Sequence, residues 1–442
     1  MHWNQWYSLR SYVRSSLWIV PLIALLFYLV AIRLAVVVDP WFESMPLWPW
    51  GLVGTQMVLQ TIITMTLTFL VFTFGSLLVA IQVAGGQLTP RIIAVTLLRD
   101  NAIRFTVGLF IFTLLFATGA LARVETTVPH GVARFAALLG FASIAAFLYL
   151  IDYSGRLLRP VSIIWRVGEA GRAVIDSVYP EPAVAPDAPA GRCRKLPPPD
   201  RTIVHLGTSG IVLAVNIKAL VAEAQKMNAV IELLPRVGDF VAASEPLFRL
   251  YGGTSPIDER RLRGLVAFGP ERTIEQDSTF AFRIIVDIGI KALSKAINDP
   301  TTAVLAIDQL QRLLRIVGNR HLLGDEILDG SGQLRVIFQT PNWEDFVQLT
   351  FSEIRLYGAE NFQIARRLRA MIENLAQSLP EYRHPALRTE MDLLDRALEN
   401  LYNLPEDLAL ARVPDTQGLG GASDRRAAPT VGGPDSDMRG RL

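Results

Sequence analysis

The chain has 442 residues, 51% of them hydrophobic and 19% charged, a blend that fits an apolar membrane part joined to a globular part. A formal net charge of +2 is too small to mark a nucleic-acid partner, and the arginines gather beside apolar segments instead of along one basic face. Cys193 is the single cysteine, which excludes an intrachain disulfide and a thiolate metal cluster within one chain.

Four apolar stretches occupy the first third, at residues 17–38, 57–84, 103–122 and 132–151. Each is long enough, at about 1.5 Å rise per residue, to cross about 30 Å of hydrocarbon. They predict a four-helix transmembrane domain over residues 1–156. Arg10 and Arg14 precede the first span, Arg91, Arg99 and Arg104 flank the loop after the second, and Arg156, Arg159, Arg166 and Arg172 follow the fourth. Residues 40–56 carry no Lys or Arg, and Trp41, Trp48 and Trp50 there form an aromatic belt. Retention of positive charge on the cytoplasmic side then predicts a multi-pass inner-membrane protein with both termini cytoplasmic. Asp39, Pro40 and Trp41 after the first span form no small-residue cleavage site, so that span is read as retained.

The second span differs from the others by its polar residues. Gln56, Gln60, Thr64 and Thr68 recur every fourth residue and make one stripe on a helix. Amides and hydroxyls in hydrocarbon need partners, so the stripe is read either as helix-packing glue or as the lining of a solute path. Spans two to four contain no internal Asp, Glu or Lys that would mark an ion relay, and four helices enclose no ion pore alone, so a path requires a homo-oligomer. Gly85 and Gly86 are expected to stop the helix. Gln87, Thr89, Pro90 and Arg91 follow, with Thr89 as N-cap and Pro90 at the first position of a short interfacial helix that reaches about residue 100. Arg91 there either contacts lipid phosphates or anchors the loop.

Residues 157–200 read as a membrane-proximal helix and a Pro-rich linker. Short β-like runs at 202–206, 210–215, 230–234, 240–241 and 247–250, with a helix at 217–227, predict a small β-rich, barrel-like unit over 201–260. Residues 237–247 resemble the turn-and-strand wrapping of biotinyl and lipoyl carrier modules, but no lysine stands at a hairpin tip. Lys218 and Lys226 fall on the helix instead, so no prosthetic group and no other cofactor is expected.

A helical unit is predicted over 261–412 and a disordered tail over 413–442. Arg272, Thr273, Gln276 and Asp277 lead into a mostly apolar helix at 280–296, whose one polar stripe is Arg283, Asp287, Lys291 and Lys295. A helix apolar nearly all round belongs in a core or an interface, and homo-oligomer packing through it is expected. Asn298, Asp299, Pro300 and Thr301 make the next turn: Pro300 ends one helix and Asp299 caps the following one. The five histidines are scattered, and no nucleophile elbow, zinc-binding His pair or phosphate-binding glycine loop occurs, so neither an enzyme nor a metal site is expected.

The run Gln87 to Arg91, the run Arg272 to Asp277, and Ala292, Leu293 and Ser294 followed by Ala296 to Ala303 carry a resemblance to the predicted membrane protein family DUF2254, a domain of unknown function. It extends over residues 10–401, and this chain departs from it at Lys295, near which the family commonly has proline. The resemblance implies four spans and a cytosolic domain, and no reaction. The whole is read as an α-helical membrane domain of four transmembrane helices plus a cytosolic α+β domain. Its expected roles are an ion or small-solute channel gated by the cytosolic module or, alternatively, a membrane-anchored sensor or scaffold. Membrane lipid is the expected partner besides a second copy.

Overall fold

Apolar helices of the first third assemble around one central member in the computed structural model, which describes residues 3–16, 18–42, 51–89, 91, 100–124, 130–157, 159–183, 196–253, 258–322 and 324–421. Helix α1 (Trp3–Ser15) precedes α2 (Ile19–Phe42), α3 (Leu52–Gln87), α4 (Asn101–Leu121) and α5 (His130–Leu157). Among the described residues, three helices are long and apolar enough to cross a membrane, over Leu52–Val83, Asn101–Leu121 and His130–Leu157, while the apolar part of α2, Ile19–Ala35, is shorter. Central helix α4 packs on α2, α3 and α5. Its Phe110 and Phe116 are fully buried, and Phe69 of α3 stacks on Phe147 of α5 at 4.0 Å. A methyl group at Gly119 would stand 2.5 Å from the Tyr28 hydroxyl, so this glycine lets α2 approach α4 closely.

Residues 261–412 are not purely helical, which corrects the expected division. The β-rich part begins with β1 (Arg201–Val204), β2 (Gly210–Val215), α7 (Ile217–Met227), β3 (Val230–Leu233), β4 (Phe240–Val241) and β5 (Pro246–Tyr251), close to the expected runs. After α8 (Glu259–Arg263) come β6 (Val266–Gly269) and, far downstream, β7 (Glu326–Leu328) and β8 (Leu334–Phe338). One sheet has the order β1-β5-β3-β8-β7 and the other β4-β2-β6. The β3–β8 pair is parallel, with Ile231 opposite Val336, so the later segment completes the earlier sheet. Strands this short carry too few alternations to declare themselves in sequence, and their partners lie far away along the chain.

The helical core forms around α9 (Ser278–Ala292). Helix α6 (Pro160–Val178), α10 (Pro300–Gly318) and α11 (Trp343–Gly358) pack against it. Phe282, Ile284, Ile285 and Val286 are fully buried, so the apolar surface expected to hold a second copy is occupied within the chain. The helix also ends at Ala292, one turn before the expected 296, because Asn298 takes a left-handed conformation (φ 48°) and the Asp299 amide returns to the Ala292 carbonyl at 2.8 Å. Helices α12 (Phe362–Ser378), α13 (His384–Leu401) and α14 (Pro405–Ala411) close the unit.

The tail is a further correction. Arg366, nearly fully buried on α12, donates from Nε to the Val413 carbonyl at 2.9 Å and from Nη1 to the Gly420 carbonyl at 2.7 Å. Buried Asp415 accepts the amides of Gln417, Gly418 and Gly420. A charged hub inside the helical unit thus orders residues whose composition alone promises no core. Residues 422–442, like Cys193, Trp48 and Trp50, lie outside the described residues.

Candidate functional site

The two polar stripes read from the sequence meet different fates. On α3, Gln60, Thr64 and Thr68 are all exposed on the outside of the helix group, and Gln56 alone is half-buried, with its amide 3.4 Å from the Val124 carbonyl. Thr68 donates to the Thr64 carbonyl one turn back at 2.8 Å. Gln60 has no hydrogen-bond partner among the described residues, and Met57, Leu67 and Val71 share its outward side. Packing between helices of the same chain therefore accounts for Gln56 but not for Gln60, Thr64 and Thr68. Buried Thr66, which donates to the Ile62 carbonyl at 2.7 Å, faces inward instead.

On α9 the stripe turns to the membrane part. Asp287 receives Nε of Arg283 at 2.7 Å and also pairs with Arg91, while Lys291 donates to the Gly85 carbonyl at 3.0 Å. Arg283 in addition grips both carboxylate oxygens of Glu353 on α11. Leu88, immediately past α3, is buried in the same apolar cluster as α9. The C-terminal end of α3 is therefore held by an apolar plug, a backbone hydrogen bond and an ion-pair chain. Lys295 is exposed in the turn after α9 and takes no part.

Charge pairing sets the electrostatics of this junction. Arg283 is raised well above its ordinary value, first by its hydrogen bond to Glu353 and then, against the cost of burial, by Asp287. Glu353 is correspondingly lowered by Arg283.

The glycines did not stop α3 where expected; it runs on through Gly85 and Gly86 to Gln87. Thr89 is buried, whereas the Gln87 side chain, Pro90 and residues 92–99 lie outside the described residues, and the short interfacial helix expected there falls with them. Arg91 is half exposed.

Of the remaining candidates, Asp277 caps α9 by accepting the Phe280 amide at 3.1 Å and pairs with Arg272. Gln276 accepts the Val215 amide of β2 at 2.9 Å, which joins the helical and β-rich parts. The hydroxyl of half-buried Thr273 has no hydrogen-bond partner among the described residues. Asp299 caps α10 through the Thr302 amide at 3.1 Å, with Pro300 at the first position and Thr301 exposed.

A cleft of about 520 Å³ opens beside the junction, lined by Arg91, Arg272, Arg283, Glu271, Phe280 and Gly238 among others. Gly238 has φ +94°, and a methyl group on it would collide with the guanidinium of Arg272. No group of three His, Cys, Asp or Glu residues that could hold a metal ion occurs among the described residues. Sequence reasoning missed Leu88, the Gly85 carbonyl and Glu353. The first two act through burial and backbone, and Glu353 is one of several acids on an amphipathic helix with nothing local to single it out.

The chain is 26% identical over 370 residues to the uncharacterized proteins Mb1321c of Mycobacterium bovis and Rv1290c of Mycobacterium tuberculosis, an alignment covering 80% of this chain and 70% of each relative. No solved structure matches it. The model of the predicted membrane protein family DUF2254 matches residues 14–374, most of the chain, and the protein belongs to that family.

Proposed function

We propose that the protein assembles as a homo-oligomer in the cell inner membrane, with α2 as a fourth span and both termini cytoplasmic, and that α3 lines a shared path for a small ion or solute. The observation that carries this reading is the outward placement of Gln60, Thr64 and Thr68 on a membrane-length helix. An amide left in hydrocarbon costs several kcal/mol on water-to-alkane scales, and another chain's equivalent face or a water-filled axis removes that cost. The hold of α9 on the Gly85 carbonyl and Arg91 supplies the mechanical link by which the cytosolic module sets the position of α3.

Reconstitution in dye-loaded liposomes tests the reading, with Thr64→Leu and Thr68→Leu combined. Loss of flux with unchanged folding supports it. Where wild-type protein passes no ion or small solute, the path reading falls.

A second reading, a membrane-anchored sensor or scaffold, is favoured by the arginine-lined cleft at the junction. It predicts that the same double substitution leaves function intact.

A further inference from the structure

We propose that the cleft beside the α3–α9 junction is a binding site for a phosphate-bearing anion. Among the described residues, three arginines, Arg91, Arg272 and Arg283, line it against one carboxylate, Glu271. Asp277, Asp287 and Glu353 grip these arginines without lining the cleft, so they fix the guanidinium planes and leave the cavity face cationic.

The decisive difference lies in which N–H groups remain. Arg283 spends Nε, Nη1 and Nη2 on Asp287 and Glu353. Arg91 donates through Nη1 alone and Arg272 through Nε alone, so both keep further donors without a partner among the described residues. A planar fork with spare parallel donors matches two oxygens of a phosphate, which a lysine ammonium does not. Arg272 is also held flat, against Gly238 on one side and 5.6 Å from the Phe280 ring centroid, so little rotamer freedom is lost on binding.

Position narrows the source of the phosphate to two. Arg91 lies four residues past the end of α3 and is half exposed, at the level where a lipid headgroup meets cytosol. The cleft equally admits a free phosphate or pyrophosphate from solution. Either anion competes with Asp287 for Arg91, the most exposed of the three arginines, and so loosens one of the holds on α3. The inference does not rest on the path reading, because binding is measured without flux.

The experiment uses the full chain in nanodiscs of phosphatidylcholine, with and without phosphatidylglycerol. Bound lipid is counted by native mass spectrometry, and inorganic phosphate and pyrophosphate are titrated by calorimetry. Arg91→Gln and Arg272→Gln are compared with Arg249→Gln, which removes a surface charge on β5 outside the cleft.

A headgroup site gives phosphatidylglycerol enrichment that falls about tenfold in both cleft variants and persists in Arg249→Gln. A soluble-anion site gives the same pattern with phosphate or pyrophosphate in the phosphatidylcholine discs. The proposal is overturned if wild-type protein binds none of the three probes, or if Arg91→Gln binds as tightly as wild type. Arg91→Gln alters a half-exposed side chain, so that comparison stands even where Arg272→Gln fails to fold.

Discussion

Helices α3 and α9 carry polar stripes with the same four-residue spacing, and the two stripes end in opposite environments. On α3 the residues are amides and hydroxyls, and Thr64 and Thr68 lie exposed on the side turned away from α4 and α5. On α9 the residues are charged, and the three that lie on the helix each find a partner beyond it: Glu353 for Arg283, Arg91 for Asp287 and the Gly85 carbonyl for Lys291, while Lys295 is left exposed in the following turn. A threonine satisfies its hydroxyl donor on its own backbone, so it tolerates a position that packing does not fix. A half-buried charge has no such refuge and draws distant segments together. Spacing shows that a stripe exists, and chemistry decides whether it organises the chain or waits for another surface.

Several substitutions sharpen that contrast. Asp287→Asn strips the carboxylate from Arg283 and Arg91 together and is expected to destabilise the protein by about 2 kcal/mol in chemical denaturation followed by tryptophan fluorescence. Thr64→Leu alone is expected to leave stability within about 0.5 kcal/mol, as for an exposed position. Equal losses for the two would break the contrast.

Asp299→Ala removes the α10 cap and should cost about 1 kcal/mol with α9 contacts intact. Wild-type stability with lost function would show a role beyond capping.

A smaller effect concerns acid. Glu353 titrates below its ordinary value of 4.5 because Arg283 holds its charged form. Its stabilising contribution is complete above that ordinary value and is lost as pH falls through the lowered one. Buried Glu390 on α13 is raised instead by desolvation, so its contribution is present at low pH and is lost as pH rises through the raised value. Melting temperature measured against pH should therefore show a shallower acid decline in Glu353→Gln, and Glu390→Gln should flatten the neutral side.

Much of this fold was legible because local rules dominate it. The exact match of α7 to its expected bounds follows from an Asn216 cap and a left-handed Asn228 stop. Membrane-length helices announced themselves by apolar length. What stayed hidden was long-range: β8 joins β3 across the helical unit, and Arg366 fastens Val413 and Gly420 from another helix. The α9 stripe was visible as a stripe, but its partners were not, since Gly85 contributes only a carbonyl and Leu88 looks like any loop leucine. Helix α1, which packs Trp3 and Tyr7 beside Leu213 and Ala267, left too short an apolar pattern to be read.

Cysteine cross-linking at Thr64 tests the central claim most directly. With Cys193 changed to Ser, Thr64→Cys is compared in native membranes with Phe141→Cys, which is exposed on α5. Under mild oxidation the account predicts chain-to-chain disulfides at position 64 and none at position 141. A protein that stays monomeric at position 64, or links only through 141, would contradict it.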